Sequence, residues 1–161
     1  VALIPEIPYL PERIVRVVND RALKGRTYTL VVAAEGAVRA GGSPVVDAYR
    51  TRLTGREHLG GIGAIVAEEL RSLVRHEVRS LALGHLQRGG MPTPFDRILG
   101  TRMGVAAVRA LADGENGVYT AIRGNDLVLA PLRDAAGRTR RVARDDPVLA
   151  VARAVGISFG D

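Results

Sequence analysis

The residues with the clearest chemistry lie in segment 79–97, which reads RSLALGHLQRGGMPTPFDR. Arg88 supplies a guanidinium that can hold two phosphate oxygens at once, and His85 supplies an imidazole whose charge changes near neutral pH. The Gly89-Gly90 pair allows the backbone to approach a ligand closely. These residue types at this spacing predict a site for a phosphorylated or otherwise anionic molecule.

Two more polar side chains accompany predicted strands. Glu35 follows the apolar run YTLVVAA at 28–34, where a carboxylate can accept hydrogen bonds from sugar hydroxyls. Arg79 lies within a predicted strand at 77–83. Taken singly, Glu35 suits a charged loop, Arg79 an exposed ion pair and His85 a structural histidine. Their order along the chain favours a ligand site, because open α/β sheets bind ligands at the carboxyl ends of their strands.

Short apolar runs alternate with segments of helical period, which predicts an α/β fold, a Rossmann-like three-layer sandwich with a mostly parallel sheet. The expected strands are 1–4, 28–34, 77–83, 118–122 and 127–130. The first expected helix begins at residue 11 and ends at Gly25. Three more expected helices cover 62–74, 94–111 and 147–155. Run 28–34 is apolar throughout, as expected of a strand with helices on both faces. No periodic pattern fits 36–59, and such long connections are often functional.

Composition excludes several classes of protein. The 161 residues suit one domain, and 47% hydrophobic residues suit a packed core rather than a disordered chain. Cysteine is absent, so disulfides, thiolate nucleophiles and zinc–sulfur sites are excluded and a cytoplasmic location is expected. The three histidines are scattered, which argues against a zinc site. No apolar run reaches membrane-spanning length, and the start at Val1 inside an apolar run suggests a piece of a longer protein.

The formal charge is +6, and all basic residues except Lys24 are arginine. Genome composition alone can produce this bias, or the arginines can serve an anionic partner. The run RTRRVAR at 138–144 raises the alternative of a basic nucleic-acid-binding module without catalysis. Only four Tyr and two Phe are present for base stacking, so a solvated loop is favoured for this run.

Segment 79–97 resembles the signature of the 6-phosphofructokinase family: a basic residue, four positions, G-H-x-Q-R-G-G, five positions, then D-R. All the fixed positions are met. Other blocks that resemble the family are PEIP at 5–8, AEG at 34–36, GGIG at 60–63 and LGTRMG at 99–104. The resemblance therefore covers most of the chain, from near its start to at least Gly124.

The resemblance implies roles for four residues. Glu35 matches the carboxylate that binds hydroxyls of fructose 6-phosphate, and His85 and Arg88 match residues that hold the sugar phosphate. Arg79 matches an arginine that, in the family's tetramers, reaches the phosphate site of a neighbouring subunit. A phosphate held in this way positions the sugar, whose hydroxyl then attacks the terminal phosphorus of the donor.

Three family motifs are absent from the sequence: the glycine-rich donor loop, the T-I-D segment with the catalytic base, and the magnesium-binding acidic residue. The resemblance thus implies that residues 1–161 are the C-terminal, sugar-phosphate-binding portion of an enzyme whose N-terminal donor-binding half is missing. The whole enzyme would use Mg²⁺ and ATP or pyrophosphate to make fructose 1,6-bisphosphate in glycolysis. It would be a cytoplasmic homo-oligomer, a dimer or tetramer, and this segment alone would have no kinase activity.

Two departures from the family pattern leave the donor and the regulation open. Compact bacterial ATP-dependent members pass from the matching Glu almost directly into a helix, whereas 36–59 intervene here, as in pyrophosphate-dependent or mixed-lineage members. Lys24 and Arg26 match part of a bacterial effector site for a nucleoside diphosphate or phosphoenolpyruvate, although a helix cap explains Lys24 equally well. A regulatory relic without ligand would need broken site residues, and Glu35, Arg79, His85 and Arg88 are intact.

Overall fold

The four predicted helices are present, and four of the five predicted strands are present at least in part. The computed structural model describes residues 1–55, 59–137 and 140–161. The helices are α1 (Pro11–Leu23), α2 (Ala48–Thr54), α3 (Ile62–Arg71), a 3₁₀ helix (Gly84–Arg88), α4 (Pro94–Ala112), α5 (Leu132–Ala135) and α6 (Pro147–Ala154). The strands are β1 (Ala2–Leu3), β2 (Val32–Ala33), β3 (Val118–Arg123) and β4 (Asp126–Pro131). The α/β class is therefore confirmed.

The chain divides into two compact units, although its length suggests a single domain. The first unit comprises Val1–Leu83 and Arg141–Asp161, and the second comprises Gly84–Arg140. The first unit has a hydrophobic core of its own. In the second unit, α4 packs on the β3–β4 hairpin.

A short parallel pair of strands lies at the centre of the first unit. Ala2 pairs with Val32 and Leu3 with Ala33, and the Val32 amide donates to the Val1 carbonyl at 2.9 Å. On the other edge of β1, the Ala2 amide donates to the Ser158 carbonyl at 2.9 Å. Strand β1 therefore has a backbone neighbour on each side, while β2 lies at the edge.

The core of the first unit is formed by α1, α3, β1 and the loops between them. Its buried residues are Leu3, Tyr9, Ile14, Ala37, Ile62, Val66 and Leu70. Helix α1 begins at Pro11, whose fixed φ suits a first helical turn, and ends before Gly25, whose φ of 74° favours glycine. The predicted ends of this helix are confirmed.

The core also contains the hydroxyl of Tyr9, which is hydrogen-bonded. The Tyr9 hydroxyl donates to Glu69 Oε2 at 3.1 Å, and Arg39 Nη1 lies 3.2 Å from Glu69 Oε1. Burial, together with the Glu69 carboxylate, raises the pKa of Tyr9 to about 12. The phenol therefore stays protonated at neutral pH and ties the loop before α1 to α3.

In the second unit, a long helix crosses an antiparallel hairpin. Strands β3 and β4 pair from Val118↔Pro131 to Arg123↔Asp126, with the turn at Gly124-Asn125 that the sequence predicts. Arg102 of α4 donates to the carbonyl of Asn125 at 3.3 Å. Ala110 is the buried residue of α4.

The predicted strand at 77–83 is wrong. The segment has no strand pairing, and Leu81 is 78% exposed. The segment is attached to the first unit at Val78. The Val78 side chain packs against the core, and its carbonyl accepts a hydrogen bond from Arg71 Nε at 3.3 Å. A buried parallel strand needs a neighbouring strand and a covering layer, and the described part of the chain provides neither for Leu81.

The described residues form two two-stranded sheets, one parallel and one antiparallel, instead of one mostly parallel sheet. Two short helices, α2 and α5, are not predicted by the sequence pattern. The described residues do not include 56–58, among them His58. They also do not include 138 and 139, the first two residues of the basic run 138–144. Across the three described ranges, no helix is long and apolar enough to span a membrane.

Candidate functional site

Glu35 lies in a tight turn directly after β2. The Ala37 amide donates to the Ala34 carbonyl at 2.8 Å, which reverses the chain around Glu35 and Gly36. A Cβ at Gly36 would lie 3.1 Å from Pro5 Cγ, so the turn is closely packed on the segment after β1. The Glu35 side chain is exposed and stands at the carboxyl end of the parallel pair, as the sequence predicts.

A second carboxylate lies close to Glu35. A Cβ placed on Gly60 would be 3.4 Å from Glu35 Oε1 and 3.7 Å from Asp47 Oδ2. Both carboxylates therefore approach the Gly60 backbone, just before the N-terminus of α3, whose cap residue Gly61 has a φ of 88°. The positive end of the helix dipole favours anionic groups at this position. Carboxylate oxygens arranged in this way can accept hydrogen bonds from hydroxyls of a bound sugar.

The connection between Glu35 and α3 folds back on itself. Val46 and Leu59 form an antiparallel bridge, and the Gly60 amide donates to the Val45 carbonyl at 3.1 Å. This pairing closes the loop that contains α2 and returns the chain to Glu35. The inserted segment thus supplies Asp47, which sequence reasoning missed; the length of the unpatterned connection was the only signal for it.

Arg79 is held by a local ion pair. Its Nε lies 2.7 Å from Glu77 Oε1, and its side chain is 83% exposed. An ion pair this exposed contributes little to stability, so Arg79 can exchange Glu77 for another anion at small cost. In the part of the chain that the structure describes, Arg79 forms no ion pair with Glu35.

His85 and Arg88 lie on one 3₁₀ helix. That helix, Gly84–Arg88, begins at a glycine with a φ of 49°. A 3₁₀ helix has three residues per turn, so residues three apart lie on the same side. The side chains of His85 and Arg88 therefore leave the helix on the same side, and both are exposed. Among the described residues, neither has an ion-pair partner, which leaves both free to bind an anion.

A glycine pair and a helix cap follow this turn. The Gly89 amide donates to the Leu86 carbonyl at 3.1 Å, and Gly90 has a φ of 102°, which glycine adopts without strain. Thr93 then caps α4: its Oγ accepts from the Asp96 amide at 3.2 Å, and its own amide donates to Asp96 Oδ2 at 2.8 Å. The predicted Thr93 cap is confirmed.

The predicted sugar-phosphate residues belong to different units. Glu35 and Arg79 lie in the first unit, and His85 and Arg88 lie in the second. The structure places His85 and Arg88 on the same 3₁₀ helix. It places Glu35 beside Asp47 and Arg79 beside Glu77.

Lys24 and Arg26 lie at the C-terminal end of α1. Lys24 is the cap residue, and the Arg26 amide donates to the Arg21 carbonyl at 2.9 Å across Gly25. Both side chains are exposed. This position fits a helix cap, because cations at the C-terminal end interact favourably with the helix dipole, and it leaves both charges accessible to a ligand.

A cavity of about 570 Å³ lies in the second unit, between α4 and the hairpin. Arg102, Arg109, Asp113 and Glu115 supply its charged lining, and the rest of the lining is mostly apolar. The charges balance, and the cavity contains none of the predicted site residues. Within the described ranges, no cluster of three or more His, Asp or Glu side chains is placed to hold a metal ion.

Comparisons with known proteins agree with the motif. The sequence model of the Phosphofructokinase family matches residues 1–111. The chain is 47% identical over its whole length to an ATP-dependent 6-phosphofructokinase of Chloroflexus aurantiacus, of which it covers 43%. It is 40% identical over 142 residues to a pyrophosphate–fructose 6-phosphate 1-phosphotransferase of Amycolatopsis methanolica, and that match covers 88% of this chain and 41% of the relative.

Solved structures give the same fold. A pyrophosphate-dependent phosphofructokinase of Nitrosospira multiformis superposes with a TM-score of 0.63 at 22% identity, covering 90% of this chain and 35% of that one. Phosphofructokinase of Saccharomyces cerevisiae superposes with a TM-score of 0.58 at 27% identity, covering 83% of this chain and 17% of that one. The chain therefore spans less than half the length of the curated relatives that it matches.

Proposed function

Because the chain belongs to the phosphofructokinase family, we propose that it is the C-terminal, fructose 6-phosphate-binding portion of a 6-phosphofructokinase. The pairing of His85 with Arg88 on one side of the 3₁₀ helix carries this proposal. A guanidinium and an imidazole on one short, glycine-flanked turn suit a phosphate monoester better than an inorganic cation or an apolar ligand.

Each site residue then has a distinct task. Arg88 and His85 bind the 6-phosphate by charge-assisted hydrogen bonds, and Glu35 accepts hydrogen bonds from the sugar hydroxyls. Arg79 gives up Glu77 for the phosphate bound by a neighbouring subunit of a dimer or tetramer. A sugar held by its phosphate can present its 1-hydroxyl to the donor, and such positioning is the main way in which phosphoryl transfer is accelerated.

The donor chemistry belongs to the part of the enzyme outside this chain. We assign the catalytic base, the donor loop and Mg²⁺ to that part, because the family motifs that carry them are absent from the sequence of this chain. The named relatives use ATP or pyrophosphate, so either donor suits the proposal. We propose that the product, fructose 1,6-bisphosphate, enters glycolysis and that the enzyme acts in the cytoplasm. We also propose that the whole enzyme has a three-layer, Rossmann-like sandwich fold with a mostly parallel sheet.

Lys24 and Arg26 complete the proposal as part of an effector site. They are cationic and exposed, and they flank Gly25 at the end of α1. A nucleoside diphosphate or phosphoenolpyruvate would suit them by charge. The alternative of a nucleic-acid-binding module gains no support from the family match.

The test of the site is Arg88→Ala in the full-length enzyme that carries this chain. Loss of a charge-assisted contact worth about 1.5–3 kcal/mol should raise the KM for fructose 6-phosphate by about 10- to 150-fold. The control is Arg133→Ala, which removes an exposed arginine of the same unit from the short helix α5. Steady-state kinetics with ATP and with pyrophosphate measure both variants. An unchanged KM in Arg88→Ala would contradict the assignment.

A further inference from the structure

The turn that carries Glu35 is attached to the first unit on both of its sides. Before the turn, the Ala34 amide donates to the Leu3 carbonyl at 2.9 Å. After the turn, the Tyr9 amide donates to the Val38 carbonyl at 3.0 Å. The first attachment continues the pairing of β1 with β2 and is fixed by it. The second attachment depends on how firmly Tyr9 is held.

This second attachment is a short parallel bridge. Tyr9 pairs with Arg39, and the Ala40 amide donates to the Tyr9 carbonyl at 2.8 Å. The bridge lies outside the named strands and is one residue long on each side. So short a bridge offers few backbone hydrogen bonds. Its position therefore depends on the side chains of Tyr9 and Arg39 as well.

Both of these side chains end on the same carboxylate. The Tyr9 hydroxyl donates to Glu69 Oε2 at 3.1 Å, and Arg39 Nη1 donates to Glu69 Oε1 at 3.2 Å. Glu69 lies on α3, which is held in place by the burial of Val66 and Leu70 in the core. Glu69 therefore joins the two partners of the bridge to a fixed helix, with one oxygen for each partner.

The contact with Tyr9 is the more important of the two. Tyr9 is 1% exposed, and a buried ring whose hydroxyl loses its acceptor leaves a polar group that water reaches poorly. The Arg39 side chain is 53% exposed, and an ion pair at such exposure contributes little. We therefore expect the hydrogen bond from Tyr9 to Glu69 to dominate.

A shift of Tyr9 would reach Glu35 because the chain between them is tightly packed. Only Gly36 and Ala37 separate Glu35 from Val38, which accepts from Tyr9. Ala37 is fully buried, and a Cβ placed on Gly36 would lie 3.1 Å from the nearest side-chain atom. Close-packed groups transmit a displacement instead of absorbing it. The place of the Glu35 carboxylate is thus coupled to the place of Tyr9.

We propose that Glu69 is a positioning residue for Glu35. By accepting hydrogen bonds from Tyr9 and Arg39, Glu69 fixes the bridge that follows the turn, and thereby the place at which the Glu35 carboxylate meets the sugar. This inference rests on the proposed function, which makes Glu35 a ligand of the sugar hydroxyls. Glu69 acts through the turn and not by contact with the substrate.

The test is Glu69→Ala in the full-length enzyme that carries this chain. Glu68→Ala is the matched control, because Glu68 lies on the same helix and pairs with Arg71 of that helix. Steady-state kinetics give the KM for fructose 6-phosphate and the KM for the donor. Hydrogen exchange, followed by mass spectrometry of the peptide that contains 37–40, reports the turn and the bridge independently of activity.

We expect Glu69→Ala to raise the KM for fructose 6-phosphate by about 3- to 10-fold, the effect of one lost hydrogen bond, and to leave the KM for the donor unchanged. Exchange of 37–40 should become about 10-fold faster, because the bridge opens more often. Glu68→Ala should change neither quantity. Glu69→Gln keeps an oxygen that can accept from Tyr9, so it should restore most of the loss.

A double-mutant cycle distinguishes positioning from a general loss of stability. In the Glu35→Gln background, Glu69→Ala should raise the KM for fructose 6-phosphate by less than about 2-fold, because the carboxylate that it positions is already absent. The same fold-increase in the wild-type and Glu35→Gln backgrounds would overturn the proposal. Unchanged exchange of 37–40 in Glu69→Ala would also overturn it.

The outcomes separate this inference from the proposed function. If Glu35→Gln itself leaves the KM for fructose 6-phosphate unchanged, the proposed role of Glu35 is contradicted, and exchange of 37–40 alone decides whether Glu69 fixes the turn. If Glu69→Ala does not fold, Tyr9→Phe takes its place, because it removes only the hydroxyl. Unchanged KM and unchanged exchange in Tyr9→Phe would overturn the positioning role.

Discussion

Gly160 explains how the end of the chain closes the core of the first unit. Its φ is 78°, and a Cβ there would lie 2.9 Å from Tyr9 Cβ and 3.1 Å from Leu3 Cδ2. Its carbonyl accepts from the Leu10 amide at 2.7 Å. The residue therefore combines a left-handed backbone with a contact that leaves no room for a side chain, next to the tyrosine that is tied to Glu69.

Gly160→Ala should destabilise the first unit by more than backbone strain alone. Gly41 is a matched control, because its φ is 76° and nothing lies within 4 Å of a Cβ placed there. Gly41→Ala should cost about 1–2 kcal/mol for the left-handed backbone, and Gly160→Ala roughly 1–3 kcal/mol more for the overlap with Tyr9 and Leu3. Urea unfolding measures both free energies. Equal losses would show that the contact at Gly160 relaxes freely.

At the scale of elements, segment 84–93 leads directly into helix α4 through the Thr93 cap. The 3₁₀ helix presents His85 and Arg88, and the capping box between Thr93 and Asp96 sets where α4 begins. Both hydrogen bonds from Thr93, through its hydroxyl and its amide, lower the pKa of Asp96. The anionic carboxylate at the helix start is also favoured by the helix dipole.

Thr93→Ala should lower the stability of α4 by about 1 kcal/mol at neutral pH. Thr101→Ala is the control, because Thr101 Oγ donates to the Arg97 carbonyl within the same helix and caps no helix end. Hydrogen exchange of the Asp96 amide and of α4 measures the effect. Equal exchange of the first turn in wild type and Thr93→Ala would contradict the role of the cap.

The same cap should depend on pH. Because the pKa of Asp96 is lower in the folded chain than its ordinary value of 3.8, the stabilisation is present above pH 3.8 and is lost as the pH falls through the folded-state pKa. The difference between wild type and Thr93→Ala should therefore shrink below pH 3.8. A difference that is constant down to pH 2 would argue against the contact between Thr93 and the Asp96 carboxylate.

At the scale of the whole molecule, the chain is a family member that covers 43% of its Chloroflexus relative. Many large apolar side chains are exposed, among them Phe95 and Met91 of the second unit at 71% and 87%. These features fit a segment that works with further polypeptide.

The chain alone should have no phosphofructokinase activity. The sequence lacks the donor-loop and T-I-D motifs of the family, and phosphoryl transfer needs a positioned donor and a base. A coupled assay with fructose 6-phosphate and either ATP or pyrophosphate tests this, and the intact ATP-dependent 6-phosphofructokinase of Chloroflexus aurantiacus is the positive control with ATP. Measurable turnover by the isolated chain would overturn the assignment of the donor chemistry to a part of the enzyme outside this chain.

The sequence by itself determined the features that depend on neighbouring residues. The ends of α1 at Pro11 and Gly25, the Thr93 cap and the Gly124-Asn125 turn follow from local backbone preferences. The family also follows from sequence, because the motif at 79–97 is contiguous. Local rules suffice for these features since the interacting groups lie within a few positions of one another.

Only the tertiary structure decided the features that depend on distant parts of the chain. A parallel strand forms where a partner and a covering layer exist, which is why 28–34 keeps only Val32–Ala33 as strand and 77–83 forms none. The approach of Asp47 to Glu35 depends on the Val46–Leu59 bridge that closes the insertion. Long-range pairing of this kind leaves no mark in any local window of sequence, because the energy that fixes it comes from burial against residues far along the chain.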